Sequence, residues 1–168
     1  LAHGIGDFEG GRTYTVLDAP GGRFAVTICY EAIFPDQVRR YVKEGAEFLV
    51  NITNDAWFGR SAAPTQHLAM AVLRAAENRR YLIRAANTGI SAIVDPNGRI
   101  LHASDIFVPA VITEQIRMER VQTFYTRYGD LFAWVCVIFI VVVAIVTWAR
   151  TTVGVASMSA AVSQRRIR

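Results

Sequence analysis

A cysteine at the end of an apolar segment is the residue of this chain best placed to do chemistry. Cys29 closes the segment 24–28 (FAVTI) and is followed at once by Tyr30 and Glu31. Parallel sheets carry their chemistry at the carboxyl ends of their strands, so a thiol at this position can act as a nucleophile. Free cysteines are also among the most buried residue types, so a packed structural role for Cys29 stays open.

The other cysteine, Cys136, lies in an uncharged apolar segment of about 18 residues, Leu131–Trp148. At about 1.5 Å per residue a helix of this length covers about 27 Å, just enough to cross a bilayer. Trp134 and Trp148 lie near its two ends, where indole rings favour the membrane interface. The composition predicts a membrane span over residues 129–149. A fully buried core helix is the alternative, although such helices are normally shorter and interrupted by polar residues.

Composition removes several classes of function. The chain has two cysteines in different environments and no Cys/His cluster with metal-ligand spacing, so no disulfide, metal or cofactor is predicted. The net charge of +4 equals the contribution of four arginines that follow the apolar segment. Basic residues beside a span fit lipid headgroups better than nucleic-acid phosphates, so a nucleic-acid partner is discarded. The charges near the two ends favour a cytoplasmic tail only weakly.

The elements that must position Cys29 follow from hydrophobic periodicity. The pattern predicts strands over residues 14–18, 23–28, 48–53, 81–86, 90–94 and 99–103, and helices near residues 33–42 and 65–79. Gly45 is a candidate C-cap for the first helix, and the turn 95–98 (DPNG) joins the last two strands. The predicted fold class is therefore α/β, with a terminal hairpin.

A loop with two aromatic residues follows the strand 48–53. Trp57 and Phe58 lie in it, at the same predicted sheet edge as Cys29. The two rings either fold back on the core or form the wall of an apolar pocket over the thiol, and both interpretations stay open. Asn54 and Asp55, just before them, are expected to cap and shape the turn.

Cys29 needs a base or a nearby cation, because a free thiol is mostly protonated near neutral pH. His67 could join Cys29 and Asp55 in a Cys-His-Asp set, but nothing in the spacing requires it, and a packed or surface His67 is the favoured interpretation. Glu31 could accept a proton or hold a neighbouring backbone group. The residues alone leave the mechanism incomplete.

Four strings occur in a fixed order ahead of the apolar segment. They are 28–31 (ICYE), 51–59 (NITNDAWFG), 66–67 (QH) and 84–91 (RAANTGIS). In this order they resemble the apolipoprotein N-acyltransferase family, a membrane-bound branch of the nitrilase superfamily, over residues 22–148. The resemblance implies the C-terminal part of a nitrilase-like α-β-β-α sandwich over residues 1–128 and one transmembrane helix over residues 129–149. It also implies a basic, flexible cytoplasmic tail over residues 150–168.

The resemblance also implies roles for individual residues. Cys29 would be the nucleophile, with Tyr30 and Glu31 assisting it, and Trp57, Phe58 and Asn54 would contact substrate. The general-base Glu and the oxyanion Lys of the family precede the nucleophile in sequence. Asp7 and Glu9 do not fit the pattern around that base, so both partners are expected upstream of Leu1 and this chain alone is expected to be inactive.

The function implied by the resemblance is N-acylation of the N-terminal diacylglyceryl-cysteine of apolipoproteins. A membrane phospholipid would donate the acyl group through a thioester on Cys29. The implied protein is a monomer with several spans in a bacterial inner membrane, a periplasmic catalytic domain and a cytoplasmic C-terminus. Two alternatives stay open: a membrane-tethered hydrolase of the amidase or nitrilase type, and a non-catalytic binding module of the same fold.

Overall fold

The computed structural model describes residue 11 and residues 13–165, with side chains as far as residue 148. Asp7 and Glu9 therefore lie outside the described residues. The chain divides into two compact units, Leu1–Gly129 and Asp130–Arg168.

The first unit is built around a mixed six-stranded sheet. Its strands are β1 (Leu17–Ala19), β2 (Gly22–Ile28), β3 (Phe48–Asn54), β4 (Tyr81–Asn87), β5 (Ala92–Val94) and β6 (Ile100–Ala103), and its helices are α1 (Pro35–Lys43), α2 (Ala63–Asn78) and α3 (Phe124–Tyr128). The strands follow one another across the sheet in chain order. The pairs β2–β3 and β3–β4 are parallel, and the other three are antiparallel. The predicted α/β class is confirmed.

Local sequence explains where the helices stop. Helix α1 begins at Pro35, whose fixed φ suits the first helical position. It ends just before Gly45, which has a φ of 104° and donates its N–H to the carbonyl of Val42 at 3.1 Å. The predicted C-cap glycine thus occupies a left-handed position that favours glycine. Helix α2 ends at Asn78, and the residue that caps it, Arg79, has a left-handed φ of 52°.

An apolar row of side chains crosses the middle of the sheet. Ala25, Leu49 and Leu82 are paired side by side on β2, β3 and β4, and each is at most 2% exposed. Side chains from both covering helices join this apolar row in one cluster, namely Val38 and Val42 from α1 and Ala71 and Ala75 from α2. Burying such side chains supplies about 25 cal/mol per Å² of apolar area, which holds the two helices on this face.

The second unit consists of helix α4 (Leu131–Arg165). Its segment Leu131–Trp148 has a mean hydropathy of 2.9 and is long and apolar enough to cross a bilayer. The backbone of residues 149–165 continues as helix, whereas a flexible tail is the expectation from sequence. These residues include no proline, so none of them forces the helix to stop.

Candidate active site

Cys29 follows β2 directly and opens a 3₁₀ turn, Cys29–Ile33. Its side chain is half-buried, and its φ of 50° is left-handed. A residue with a Cβ in that region costs about 1–2 kcal/mol relative to a right-handed conformation. Strained backbone of this kind persists only where the surroundings enforce it, and it concentrates at functional sites. The thiol predicted as nucleophile therefore occupies an enforced turn at the carboxyl end of a parallel strand.

Neighbouring groups hold the backbone on both sides of Cys29. The Glu31 carboxylate accepts a hydrogen bond from the N–H of Ile28 at 2.8 Å. The carbonyl of Cys29 accepts one from Nδ2 of Asn51 at 3.2 Å and lies 3.3 Å from Nε2 of His67. Of the two roles considered for Glu31, the structure displays the second, which is to hold a neighbouring backbone group.

A polar row of side chains crosses the sheet two residues beyond the apolar row. It consists of Thr27, Asn51 and Arg84, which pair side by side on β2, β3 and β4 and are each at most 2% exposed. Nδ2 of Asn51 donates to the carbonyl and to the hydroxyl of Thr27, both at 3.1 Å, and Nη1 of Arg84 donates to Oδ1 of Asn51. The buried face of the sheet thus changes from apolar to polar as it approaches Cys29.

Asp55 connects this polar row to helix α2. Its Oδ2 lies 2.9 Å from Nη2 of Arg84, and both side chains are fully buried. Its Oδ1 accepts from the hydroxyl of Thr53 at 3.0 Å and lies 3.0 Å from Nδ1 of His67. As expected, Asp55 caps the short 3₁₀ turn Ala56–Phe58, but it does so through its backbone, because its carbonyl accepts from the N–H of Phe58 at 3.0 Å. Its side chain makes no cap hydrogen bond and has partners on β3, β4 and α2. Asn54 supplies the side-chain contribution to the turn, since its Oδ1 accepts from the N–H of Ala56 at 3.1 Å.

The structure brings together two of the three members of the possible Cys-His-Asp set. His67 is 3% exposed and pairs with Asp55, but its second ring nitrogen faces the carbonyl oxygen of Cys29. The favoured interpretation of His67 is a packed or a surface residue, and its burial confirms the first and excludes the second. That interpretation does not describe the contact with the Cys29 backbone.

The electrostatics of the site centre on Arg84. Burial lowers the pKa of the Arg84 guanidinium, and the Asp55 carboxylate and a charged Cys29 oppose that lowering. Because a charged Cys29 would raise the pKa of Arg84, the guanidinium and a thiolate on Cys29 attract each other.

A glycine makes room for the buried carboxylate. A Cβ built at Gly89 would lie only 2.7 Å from the Cβ of Asp55, which is far closer than such atoms approach one another. Gly89 belongs to the string 84–91 that carries the resemblance, and this close approach gives its glycine a physical reason.

The two aromatic residues of the loop have different environments. Trp57 is 86% exposed, so its ring does not fold back on the described core. Phe58 is half-buried, and its ring meets the ring of His67 edge to face at 6.1 Å. Tyr30, which is 51% exposed, lies on the same imidazole with 5.9 Å between ring centres. Aromatic side chains therefore surround His67 at the edge of the sheet where Cys29 lies.

Sequence reasoning missed Arg84 and Asn51 as members of the site. One signal was available for Arg84, because a lone arginine among apolar residues of a strand needs a buried acid as partner. Asn51 gave a weaker signal, since it replaces an apolar residue at the alternate position of β3 that faces the helices.

Comparison with known proteins gives the family. Residues 6–126 match the model of the carbon-nitrogen hydrolases. This chain belongs to the carbon-nitrogen hydrolase family. Its fold is similar to that of a branch 10 member of the nitrilase superfamily from Saccharomyces cerevisiae, with a TM-score of 0.50 and 24% identity over 58% of this chain and 39% of that one. The predicted nitrilase-like fold is thereby confirmed.

Within the carbon-nitrogen hydrolase family, the chain is similar to proteins named apolipoprotein N-acyltransferase. It is 49% identical over 153 residues to one from Geobacter metallireducens, covering 91% of this chain and 29% of that protein. A second, from Thermotoga maritima, is 40% identical over 140 residues, covering 83% of this chain and 28% of that protein. These relatives confirm the resemblance and are acyltransferases by name. The chain spans less than a third of the length of either.

Proposed function

We propose that this chain is part of an acyltransferase that moves a fatty acyl group from a phospholipid to the N-terminal diacylglyceryl-cysteine of apolipoproteins. The observation that carries the proposal is Cys29 in a strained turn at the end of β2, in a chain 49% identical to a protein named apolipoprotein N-acyltransferase. The Cys29 thiol is half-buried, so a substrate can reach it, while Nδ2 of Asn51 holds the carbonyl of the same residue.

In the first step the sulfur of Cys29 attacks the carbonyl carbon of a phospholipid ester. The S–C bond forms, the ester C–O bond breaks, and the thiol proton ends on the oxygen of the departing lysophospholipid. The resemblance implies a Glu as the base that carries this proton and a Lys near the oxyanion, both elsewhere in the complete protein. The N–H of Tyr30 is a further donor to the developing oxyanion.

In the second step the free α-amine of the acceptor cysteine attacks the thioester. The N–C bond forms, the C–S bond breaks, and one amine proton returns to the sulfur of Cys29. A thioester stores the acyl group in a form that remains reactive towards an amine. Apolar walls around it would limit access by water.

Trp57, Phe58 and Asn54 are proposed to lie along the path of the acyl donor. The exposed Trp57 offers a large apolar surface at the edge of the sheet that carries Cys29, and Phe58 lines the neighbouring imidazole. An exposed indole of this size is costly in water and useful against an acyl chain.

Membrane attachment is part of the proposal. Residues 1–128 would form the C-terminal part of the catalytic domain, residues 129–149 the span and residues 150–168 a cytoplasmic tail. The uncharged segment Leu131–Trp148, with its mean hydropathy of 2.9, supports this division. The complete protein would be a monomer with several spans in a bacterial inner membrane, and its catalytic domain would face the periplasm.

The test uses the complete open reading frame, purified in detergent and mixed with phospholipid vesicles and a synthetic diacylglyceryl-cysteine peptide. We expect the peptide to gain one acyl mass on its α-amine with wild type and with the matched control Cys136→Ala, and to stay unmodified with Cys29→Ala. Free fatty acid without acylated peptide would contradict transfer and favour a tethered hydrolase. The absence of both products would favour a binding module.

A further inference from the structure

Two buried donors hold the carbonyl of Cys29. Nδ2 of Asn51 donates to it at 3.2 Å, and Nε2 of His67 lies 3.3 Å away. A carbonyl oxygen can only accept, so Nε2 must carry a hydrogen in this arrangement. That nitrogen is therefore not a free base directed at the thiol.

The imidazole ring cannot easily turn away from this contact. Nδ1 of His67 lies 3.0 Å from Oδ1 of Asp55 and 3.1 Å from Nη2 of Arg84. Asp55 is itself fixed by Arg84 at 2.9 Å, and all three side chains are nearly or fully buried. Buried charge-assisted bonds of this kind are strong and geometrically specific. Arg84 therefore fixes Asp55, Asp55 restricts the His67 ring, and the ring contacts the Cys29 carbonyl.

The orientation of one carbonyl determines that of the next N–H. The described chain has no cis peptide bond, so the unit that joins Cys29 to Tyr30 is trans and planar. In a trans unit the carbonyl of Cys29 and the N–H of Tyr30 point in opposite directions. Groups that draw this carbonyl towards Asn51 and His67 therefore turn the N–H of Tyr30 away from them.

We propose that His67 is a positioning residue which, with Asn51, holds the Cys29 carbonyl and thereby aims the N–H of Tyr30 at the oxyanion formed on the acyl carbonyl. The inference rests on the proposed function for its natural acyl donor. Deleting an oxyanion donor typically reduces kcat about 10²–10³-fold. Misdirecting the donor rather than deleting it should reduce the acylation rate about 10- to 100-fold.

Two substitutions separate the two nitrogens of the ring. In His67→Asn the shorter side chain keeps a polar group beside Asp55 and Arg84, where Nδ1 lies, but leaves the Cys29 carbonyl without its second donor. In His67→Gln the longer side chain brings an N–H to the position of Nε2. His102, an exposed histidine paired with Glu114 at 2.8 Å, supplies the matched control His102→Gln.

The experiment measures three quantities for each variant of the complete open reading frame. These are the rate of Cys29 acylation by phospholipid vesicles and by p-nitrophenyl butyrate, the rate of Cys29 alkylation by iodoacetamide across pH 5–9, and the unfolding midpoint. Alkylation forms no oxyanion, so it reports the thiol without the Tyr30 donor. Asn51→Ser, which removes the other donor, serves as second variant should His67→Asn not fold.

We expect His67→Asn to lose acylation about 10- to 100-fold, while its alkylation rate and pH dependence stay close to those of wild type. His67→Gln should recover most of the acylation, and His102→Gln should match wild type in all three quantities. An alkylation rate that falls with a changed pH dependence in both His67 variants would overturn the proposal in favour of a general base. Equal acylation losses in both variants that follow the unfolding midpoint would overturn it in favour of a purely structural role.

The use of two acyl donors, phospholipid and p-nitrophenyl butyrate, tests the role of His67 separately from the proposed function. Wild type that is acylated by p-nitrophenyl butyrate but never by phospholipid would contradict the proposed function, and the ester would still decide the role of His67. Wild type acylated by neither donor would overturn both, because Cys29 would then accept no acyl group.

Discussion

Two rows of side chains on one face of the sheet differ in polarity although they lie only two positions apart along each strand. The apolar row of Ala25, Leu49 and Leu82 packs against α1 and α2, whereas the polar row of Thr27, Asn51 and Arg84 is linked by hydrogen bonds. Helix α2 shows the same change, with Ala71 and Ala75 in the apolar cluster and His67 one turn earlier beside Cys29. Apolar contacts are non-directional, while hydrogen bonds set angles.

The difference teaches how one small layer combines stability with a strained turn. The apolar row supplies the free energy that holds the helices on the sheet. The polar row contributes less net free energy, because its groups exchange water for one another. Its role is to fix the direction of the carbonyl of Cys29, the residue with a φ of 50°. Substitutions in the two rows should therefore separate stability from chemistry, and the largest loss of stability should come from leaving a buried charge unpaired.

Arg84→Met gives the largest expected effect on the free energy of unfolding. Methionine matches much of the arginine volume but leaves Asp55, with a fully buried side chain, without its cation. Breaking a buried ion pair in this way costs about 3–5 kcal/mol. The thermal unfolding midpoint of the purified protein measures the loss, and Arg84→Lys, which keeps the charge, should lose less. Equal midpoints for Arg84→Met and wild type would contradict the importance given to the pair.

Leu49→Ala tests the apolar row. The side chain is 1% exposed, so its truncation leaves a cavity under α1 and α2 and costs about 2–5 kcal/mol. At a temperature where the variant is still folded, its Cys29 acylation rate should stay near that of wild type, because no hydrogen bond to the turn is lost. A fall in acylation as large as that of His67→Asn, measured on folded protein, would break the distinction between the rows.

Asp95→Asn tests a position in neither row. Burial tends to raise the pKa of Asp95, but hydrogen bonds from the N–H groups of Arg99 and Asn97 outweigh it, so the pKa lies below its ordinary value. The ionised carboxylate therefore stabilises the fold above the unfolded-state pKa of about 3.9, and this contribution is lost as pH falls through the folded-state pKa.

The expected loss in Asp95→Asn is below about 1 kcal/mol at pH 7, since asparagine can still accept these hydrogen bonds. Unfolding midpoints measured from pH 7 down to pH 3 should converge with those of wild type on the acid side. A difference between the midpoints of wild type and Asp95→Asn that widens as the pH falls would contradict the lowered pKa of Asp95.

Trp57→Ala should have the smallest effect on stability and a clear one on activity. An 86% exposed side chain contributes within about 0.5 kcal/mol to the free energy of unfolding. Loss of an apolar wall for the acyl chain should lower kcat/KM for phospholipid about tenfold. The half-buried Phe58 provides the contrast, because Phe58→Ala should lower both the midpoint and the activity. Unchanged kcat/KM in Trp57→Ala would remove this residue from the substrate path.

The apolar part of the fold follows from local sequence, and the polar part does not. Strands β2, β3 and β4 were predictable because their apolar runs are bounded by turn residues and helical periods. The position of Cys29 at the carboxyl end of β2 was predictable from the apolar run that precedes it. The polar row depends on cross-strand register, which puts Asn51 between Thr27 and Arg84, and no local pattern contains that register.

Asp55 shows the same limit. Locally it belongs to a turn, where aspartate often bonds to nearby backbone groups. Its cationic partner, Arg84, is 29 residues away in sequence, and this buried ion pair outweighs the local preference of the side chain. The glycine that admits this carboxylate, Gly89, is equally unremarkable until the close approach is seen.

The most direct test of the central claim is the mass of the Cys29 peptide after the complete protein is incubated with phospholipid vesicles and no acceptor. The account predicts an added fatty-acyl mass on Cys29 that hydroxylamine removes and that is absent in Cys29→Ala. An unmodified Cys29 in a correctly inserted protein would contradict the thioester, and with it the acyltransferase proposed for this chain.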